Sequence, residues 1–222
     1  MSTELLSLIQ LSDSALPIGT YAHSWGLETF VQRGAIKDRA SATTAIRDLL
    51  LNSVGPTDAA SCGLAYVAAQ HNDSKLYFDL AEQLIASRWA SELHEAALST
   101  GKRLRKLALE SGLLTDLSQM PPSDAYHCLV FGWLANKLGV ERSDAVTAYL
   151  YSSANAMVSA LVRLIPLGHT DGQRILNELK PEIAAMSVRF IIEKPESLHC
   201  FAPMTDLASV QHEQLYSRLF QS

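Results

Sequence analysis

Apolar residues along this chain recur at the spacing of helices almost everywhere, and runs that alternate with period two are scarce. Val146, Leu150, Met157, Leu161 and Leu164 return at intervals near 3.6, as the buried face of one helix requires. Pro166-Leu167-Gly168 ends that helix, and Asp171 is placed to cap the next, which runs past Ile175 and Leu179. Asp38, Asp73 and Thr57-Asp58 mark further starts. Ser123 is the expected N-cap of a helix that stops at Leu138-Gly139. The longest loop-like stretch is Thr115 to Ser123, and Lys194 to Thr205, with Pro195 and Pro203, is an irregular connection before the tail. No Pro/Ser/Gly linker and no internal repeat divides the chain. The pattern predicts one all-α helical-bundle domain over residues 1–222, of roughly eight to ten helices.

Composition narrows the function classes. Apolar residues make up 48% and charged residues only 18%, below the usual ~25%. Either the core is rich in Ala, or part of the surface is meant to be covered. A net charge of −5 argues against nucleic acid, which needs a basic footprint. The run Lys102-Arg103-Leu104-Arg105-Lys106 is the exception, and in its Glu-rich surroundings it reads as a solvated helix face, with a contact patch for an acidic partner as the alternative. Three cysteines without a CxxC spacing, and a start without a basic n-region, point to free thiols in a reducing cytoplasm. Ala145 to Val162 carries no charge over a length approaching the ~20 residues of a membrane span. Thr147, Ser152, Ser153, Asn155 and Ser159 interrupt it, so it reads as the central helix of a bundle.

Catalytic templates fail. Thr100-Gly101-Lys102-Arg103 lacks both the earlier Gly and the Ser or Thr that a phosphate loop needs. Ala22-His23-Ser24-Trp25-Gly26 lacks the first Gly of a nucleophile elbow. Ser24 is better placed to cap a helix beginning at Trp25 than to act as the nucleophile of a helical serine hydrolase. The seven histidines form no HxH and no i,i+4 pair. His199-Cys200 in a loop is the one pair suited to nickel or zinc, as a stand-alone nickel chaperone would use it.

Three ordered motifs remain. The first is Ser12-Asp13-Ser14-Ala15-Leu16-Pro17-Ile18-Gly19-Thr20-Tyr21-Ala22-His23-Ser24-Trp25-Gly26-Leu27-Glu28, where Pro17 and Gly19 punctuate a turn. The second is Arg163-Leu164-Ile165-Pro166-Leu167-Gly168-His169-Thr170-Asp171-Gly172-Gln173-Arg174, either a plain helix-to-helix turn or a polar turn open to a partner. The third is His212-Glu213-Gln214-Leu215-Tyr216-Ser217-Arg218-Leu219-Phe220-Gln221-Ser222. On a helix its Leu215, Tyr216, Leu219 and Phe220 would form one apolar stripe beside Arg218, to dock either on its own domain or on a partner.

In order and spacing these motifs, with Tyr126-His127 and Phe131-Gly132 between them, resemble the UreF family of urease accessory proteins over essentially the whole chain. Thr20, His169 and Gln221 depart from the residues usual there. The resemblance implies a non-enzymatic scaffold that joins UreD (UreH in some systems), recruits the GTPase UreG and serves apo-urease, with a homodimer in the complex. It implies no tightly bound cofactor, nickel being handled by the assembly. Tyr21, His23, Ser24 and Glu28, with Asp171 and Gln173, become candidates for the GTPase-facing or structural core of the scaffold. Within a partner-binding segment 206–222, Tyr216, Arg218, Leu219 and Phe220 become candidates for the UreD-facing tail.

Overall fold

A computed structural model describes residues 3–88, 90–121, 125–191, 195–199, 202–212, 214–215 and 218–220. Among these the chain is all helix and loop, with no strand. Its helices are α1 (Thr3–Leu11), α2 (Leu27–Gln32), α3 (Arg39–Leu49), α4 (Ala60–His71), α5 (Ser74–Ser87), α6 (Ser91–Glu110), α7 (His127–Lys137), α8 (Arg142–Leu164), α9 (His169–Ile191) and α10 (Pro203–His212).

Two of the expected starts hold for the expected reason. Asp38 accepts the backbone N–H of Ser41 at 2.8 Å, and the Ser41 hydroxyl answers the backbone N–H of Asp38, a reciprocal capping box. Asp73 accepts the N–H of Leu76 at 2.9 Å and starts α5. Other starts differ. Thr57 and Asp58 begin nothing: they lie inside a wide π-helical stretch, Leu50–Ala59, that joins α3 to α4. Pro56 sits within it, where a proline would be costly in a regular α-helix. Asp171 is the third residue of α9 and bonds Arg174 at 3.0 Å instead of capping the helix. Ser123 lies outside the described residues; α7 begins at His127.

The core is a continuous cluster from Leu11 to Phe190. α7 is its centre: Cys128 to Ala135 are all buried, so the helix is apolar on every side. α4 lies against it so closely that a Cβ on Gly132 would fall 2.0 Å from the carbonyl oxygen of Cys62. Trp133 meets Tyr77 edge-on at 5.6 Å, and Cys62 and Cys128 are buried free thiols. α8 passes the length test for a membrane span, but 56% of its apolar window is buried against other helices, the property of a core helix. The basic run lies on α6: Lys102, Arg103 and Lys106 are exposed, Leu104 is buried, and Arg105 donates to the carbonyl of Pro121 at 3.0 Å.

Candidate functional site

The first motif folds into a loop that turns twice. Gly19 takes a left-handed φ of +90° and leads into a single 3-10 turn, Thr20–Ala22. Trp25 and Gly26 are then both left-handed, at φ +53° and +75°, before α2 starts at Leu27. A tryptophan in that region is uncommon and costs of order 1 kcal/mol or more. These two residues reverse the chain, which turns α2 inward. The helix cap is therefore Gly26, not Ser24, which is completely buried. That burial, and a turn rather than a strand before it, removes Ser24 as a nucleophile. His23 is buried too, and burial together with the nearby Arg103 guanidinium lowers its pKa. Tyr21 alone of this group faces outward, 67% exposed.

The reversal delivers Glu28 into the interior, only 2% exposed. Of the two readings of Glu28, GTPase-facing or structural core, its burial fits the second. Both oxygens are used by the chain's own end. Oε2 accepts from His212 Nε2 at 3.0 Å and from the N–H of Phe220 at 3.2 Å; Oε1 accepts from the N–H of Leu219 at 2.9 Å. The other ring nitrogen, His212 Nδ1, bonds Glu92 on α6 at 2.7 Å, and Arg218 reaches Glu92 at 2.9 Å. The His212 ring thus bridges the two carboxylates, and the Arg218 guanidinium offsets the charge of Glu92, which helps make a carboxylate tolerable inside the fold. α2 is fastened to α10 a second time, by Thr29 Oγ1 donating to the carbonyl of Ala208 at 2.9 Å.

The tail therefore docks on its own chain, and its residues are not one helical stripe. α10 ends at His212, and residues 218–220 are non-helical. Phe220 turns inward, 5% exposed, beneath the Arg163 guanidinium at 4.4 Å; Leu219 turns outward, 74% exposed. Tyr216 lies outside the described residues. Asp171 and Gln173 belong to a different place, the first turns of α9, where Gln173 is exposed. Sequence reasoning missed Glu92, Arg163 and His212 as members of this constellation. Its only signal was charge inside segments otherwise able to bury: Glu92 in the first turn of α6, and a histidine at the end of α10.

Beside the loop lies a cavity of about 350 Å³. Its walls include Leu11, Ile18, His23, Trp25, Asp58, Arg88, His127, Phe131 and Tyr149. The π-helical stretch aims Asp58 at Arg88, an ion pair among buried groups. Burial opposes the charge of Arg88, but Asp58 outweighs it and the guanidinium is held charged. Tyr126, the partner of His127 in the sequence pair, bonds His94 Nδ1 at 2.9 Å through its hydroxyl. His127 packs on Tyr149 at 5.3 Å, and its pKa falls to about 4, by burial first and then by Arg88 and His23.

That shift sets a pH dependence. The folded chain holds His127 neutral, while the unfolded chain protonates it below about 6.5. Stability is full above pH 6.5 and declines towards pH 4, by at most about 3 kcal/mol from this residue. Urea unfolding at pH 7, 6 and 5 should show the decline, and His127→Asn should flatten it. Equal slopes in the two proteins would remove His127 as the cause.

Among the described residues no group of three or more His, Cys, Asp and Glu side chains is placed to hold a metal ion. His199 is exposed, its carbonyl accepting from Thr57, and Cys200 lies outside the described residues. Thr100-Gly101-Lys102-Arg103 is helix interior, and Gly101 is there because the carbonyl of Ala125 approaches where a Cβ would sit, 1.8 Å away.

Among the described residues the chain is an all-helical protein whose most polar constellation holds its own tail. Comparison with known proteins gives its class. The UreF family model matches residues 36–180. The urease accessory protein UreF of Bacillus sp. (strain TB-90) is 37% identical over 225 residues, spanning 98% of this chain and 99% of its own. That of Actinobacillus pleuropneumoniae serotype 5b is 32% identical over 99% of both chains, and that of Geobacillus kaustophilus is 33% identical over 99% of this chain and 98% of its own. The chain belongs to the UreF family of urease accessory proteins and has its role in urease maturation.

Proposed function

We propose that the chain is a scaffold of the urease maturation complex that joins UreD (UreH in some systems) and recruits the GTPase UreG, so that the assembly delivers nickel to apo-urease. Membership of the UreF family supports a place in that complex. The observation that carries the finer reading is the docking of the tail beside the first motif. Two apolar side chains, Tyr21 and Leu219, stay outside while their own main chain is held, Leu219 by Glu28 and Tyr21 by Arg163. An exposed aromatic and an exposed leucine on an ordered support suit a protein interface, where rigid anchors bind at low entropic cost.

On this reading the loop with Tyr21 serves the GTPase and residues 206–222 serve UreD, with His23, Ser24 and Glu28 as the structural core behind them. Asp171 and Gln173 form a separate polar patch. The test is co-purification of UreD and UreG with Tyr21→Ala, Leu219→Ala and the double variant. Both side chains are exposed, so each melt should stay near that of the parent. Capture should fall by about tenfold or more in the double variant, the loss of one good anchor. Full capture of both partners would overturn the reading.

A further inference from the structure

Arg163 closes α8, and its guanidinium touches three things. Nε donates to the carbonyl of Ser159 in its own helix at 3.1 Å. Nη2 donates to the backbone carbonyl of Tyr21 at 2.7 Å. Its flat face covers the Phe220 ring at 4.4 Å. One side chain thus joins a loop near the start of the chain to its last described residue. The contact with Tyr21 uses only main chain and leaves the aromatic side chain outside. The contact with Phe220 buries that ring, so its neighbour Leu219 points outward.

We infer that Arg163 is a positioning residue, which fixes the Tyr21 loop against the tail so that the surfaces assigned to two partners form one continuous face. This rests on the reading that Tyr21 and Leu219 meet partners, and extends it to a residue that need touch neither. The chemistry requires arginine. Only a planar fork can donate in its plane to one segment while stacking its face on another; lysine carries the charge as a point and cannot do both.

Hydrogen exchange reads the joint in the isolated chain. The N–H groups of Ala22 and His23 bond within the loop, and those of Leu219 and Phe220 bond to Glu28. Arg163→Met should lower protection in both segments by about tenfold, the loss of one hydrogen bond and one stacked contact. Arg163→Lys should give a smaller loss. The amide of Ser41, capped by Asp38, should not change. In a double-mutant cycle, Phe220→Leu should loosen the Tyr21 loop when Arg163 is present and not when it is methionine.

An Arg163→Met protein whose two segments keep their protection, or lose it in only one, overturns the joint. The same holds if Phe220→Leu acts equally in both backgrounds. Capture of UreD and UreG should also fall about tenfold with Arg163→Met, tracking lost protection. Capture that stays full while protection falls overturns the positioning role alone. Full capture by the Tyr21→Ala, Leu219→Ala double variant overturns instead the reading on which it rests.

Discussion

Glu28→Lys is expected to lower the melting temperature by on the order of 10 °C and to release the tail. The carboxylate is buried, and each of its hydrogen bonds runs to the chain's own end: the His212 ring and the amides of Leu219 and Phe220. A lysine would put a cation among three donors, where water cannot compensate. Leaving a buried charge without a partner costs about 3–5 kcal/mol. For a chain of this length 1 kcal/mol corresponds to ~2–4 °C. Glu28→Gln keeps one oxygen acceptor but turns an NH2 towards a donor, and should cost about 1–3 kcal/mol. Thermal melts with hydrogen exchange at Leu219 and Phe220 measure both effects. A Glu28→Lys protein that melts like its parent would show that the carboxylate is not holding the tail.

The sequence made the architecture legible where the physics is local. Asp38 and Asp73 cap the helices that follow them because a short carboxylate meets orphan N–H groups within three residues. The uncharged segment before Arg163 reads as a core helix because small and polar residues interrupt it. Local signals failed where the backbone departs from the usual menu. Thr57-Asp58 has the chemistry of a start, yet the wide π-helical turn carries the chain straight through. Ser24 has the chemistry of a cap, yet Trp25 in a left-handed conformation displaces the helix by two residues. The site was legible as motifs but not as a constellation. Glu28, Glu92, Arg163 and His212 lie on four different helices, and nothing in the spacing of any one segment tells that they converge. For the same reason the burial of Glu28 was not legible: polarity was visible, and the partner nearly two hundred residues away was not.

Deleting residues 214–222 should lower the melting temperature by about 5–15 °C and abolish capture of UreD. The sequence alone framed these as alternatives, a tail for its own domain or a tail for a partner. The docked tail predicts both together, because Phe220 and Leu219 point in opposite directions. Burial of a phenylalanine ring contributes ~1.5–3 kcal/mol. The two amide bonds onto Glu28, at ~1.5–3 kcal/mol each, and the Arg218–Glu92 pair add to this, while ordering the three residues 218–220 offsets ~1–2 kcal/mol each. The net loss is about 2–4 kcal/mol, which gives the stated shift. Point variants separate the contributions. Phe220→Ala removes the ring but leaves the amides, so it should carry more than half of the thermal loss. Leu219→Ala should leave the melt within about 1 °C, as for other exposed positions, and still weaken UreD capture. A truncated chain with the parent's melt would mean that the tail does not dock in solution. One that melts early yet captures UreD at full strength would leave the tail as a structural latch and place the UreD interface elsewhere on the chain.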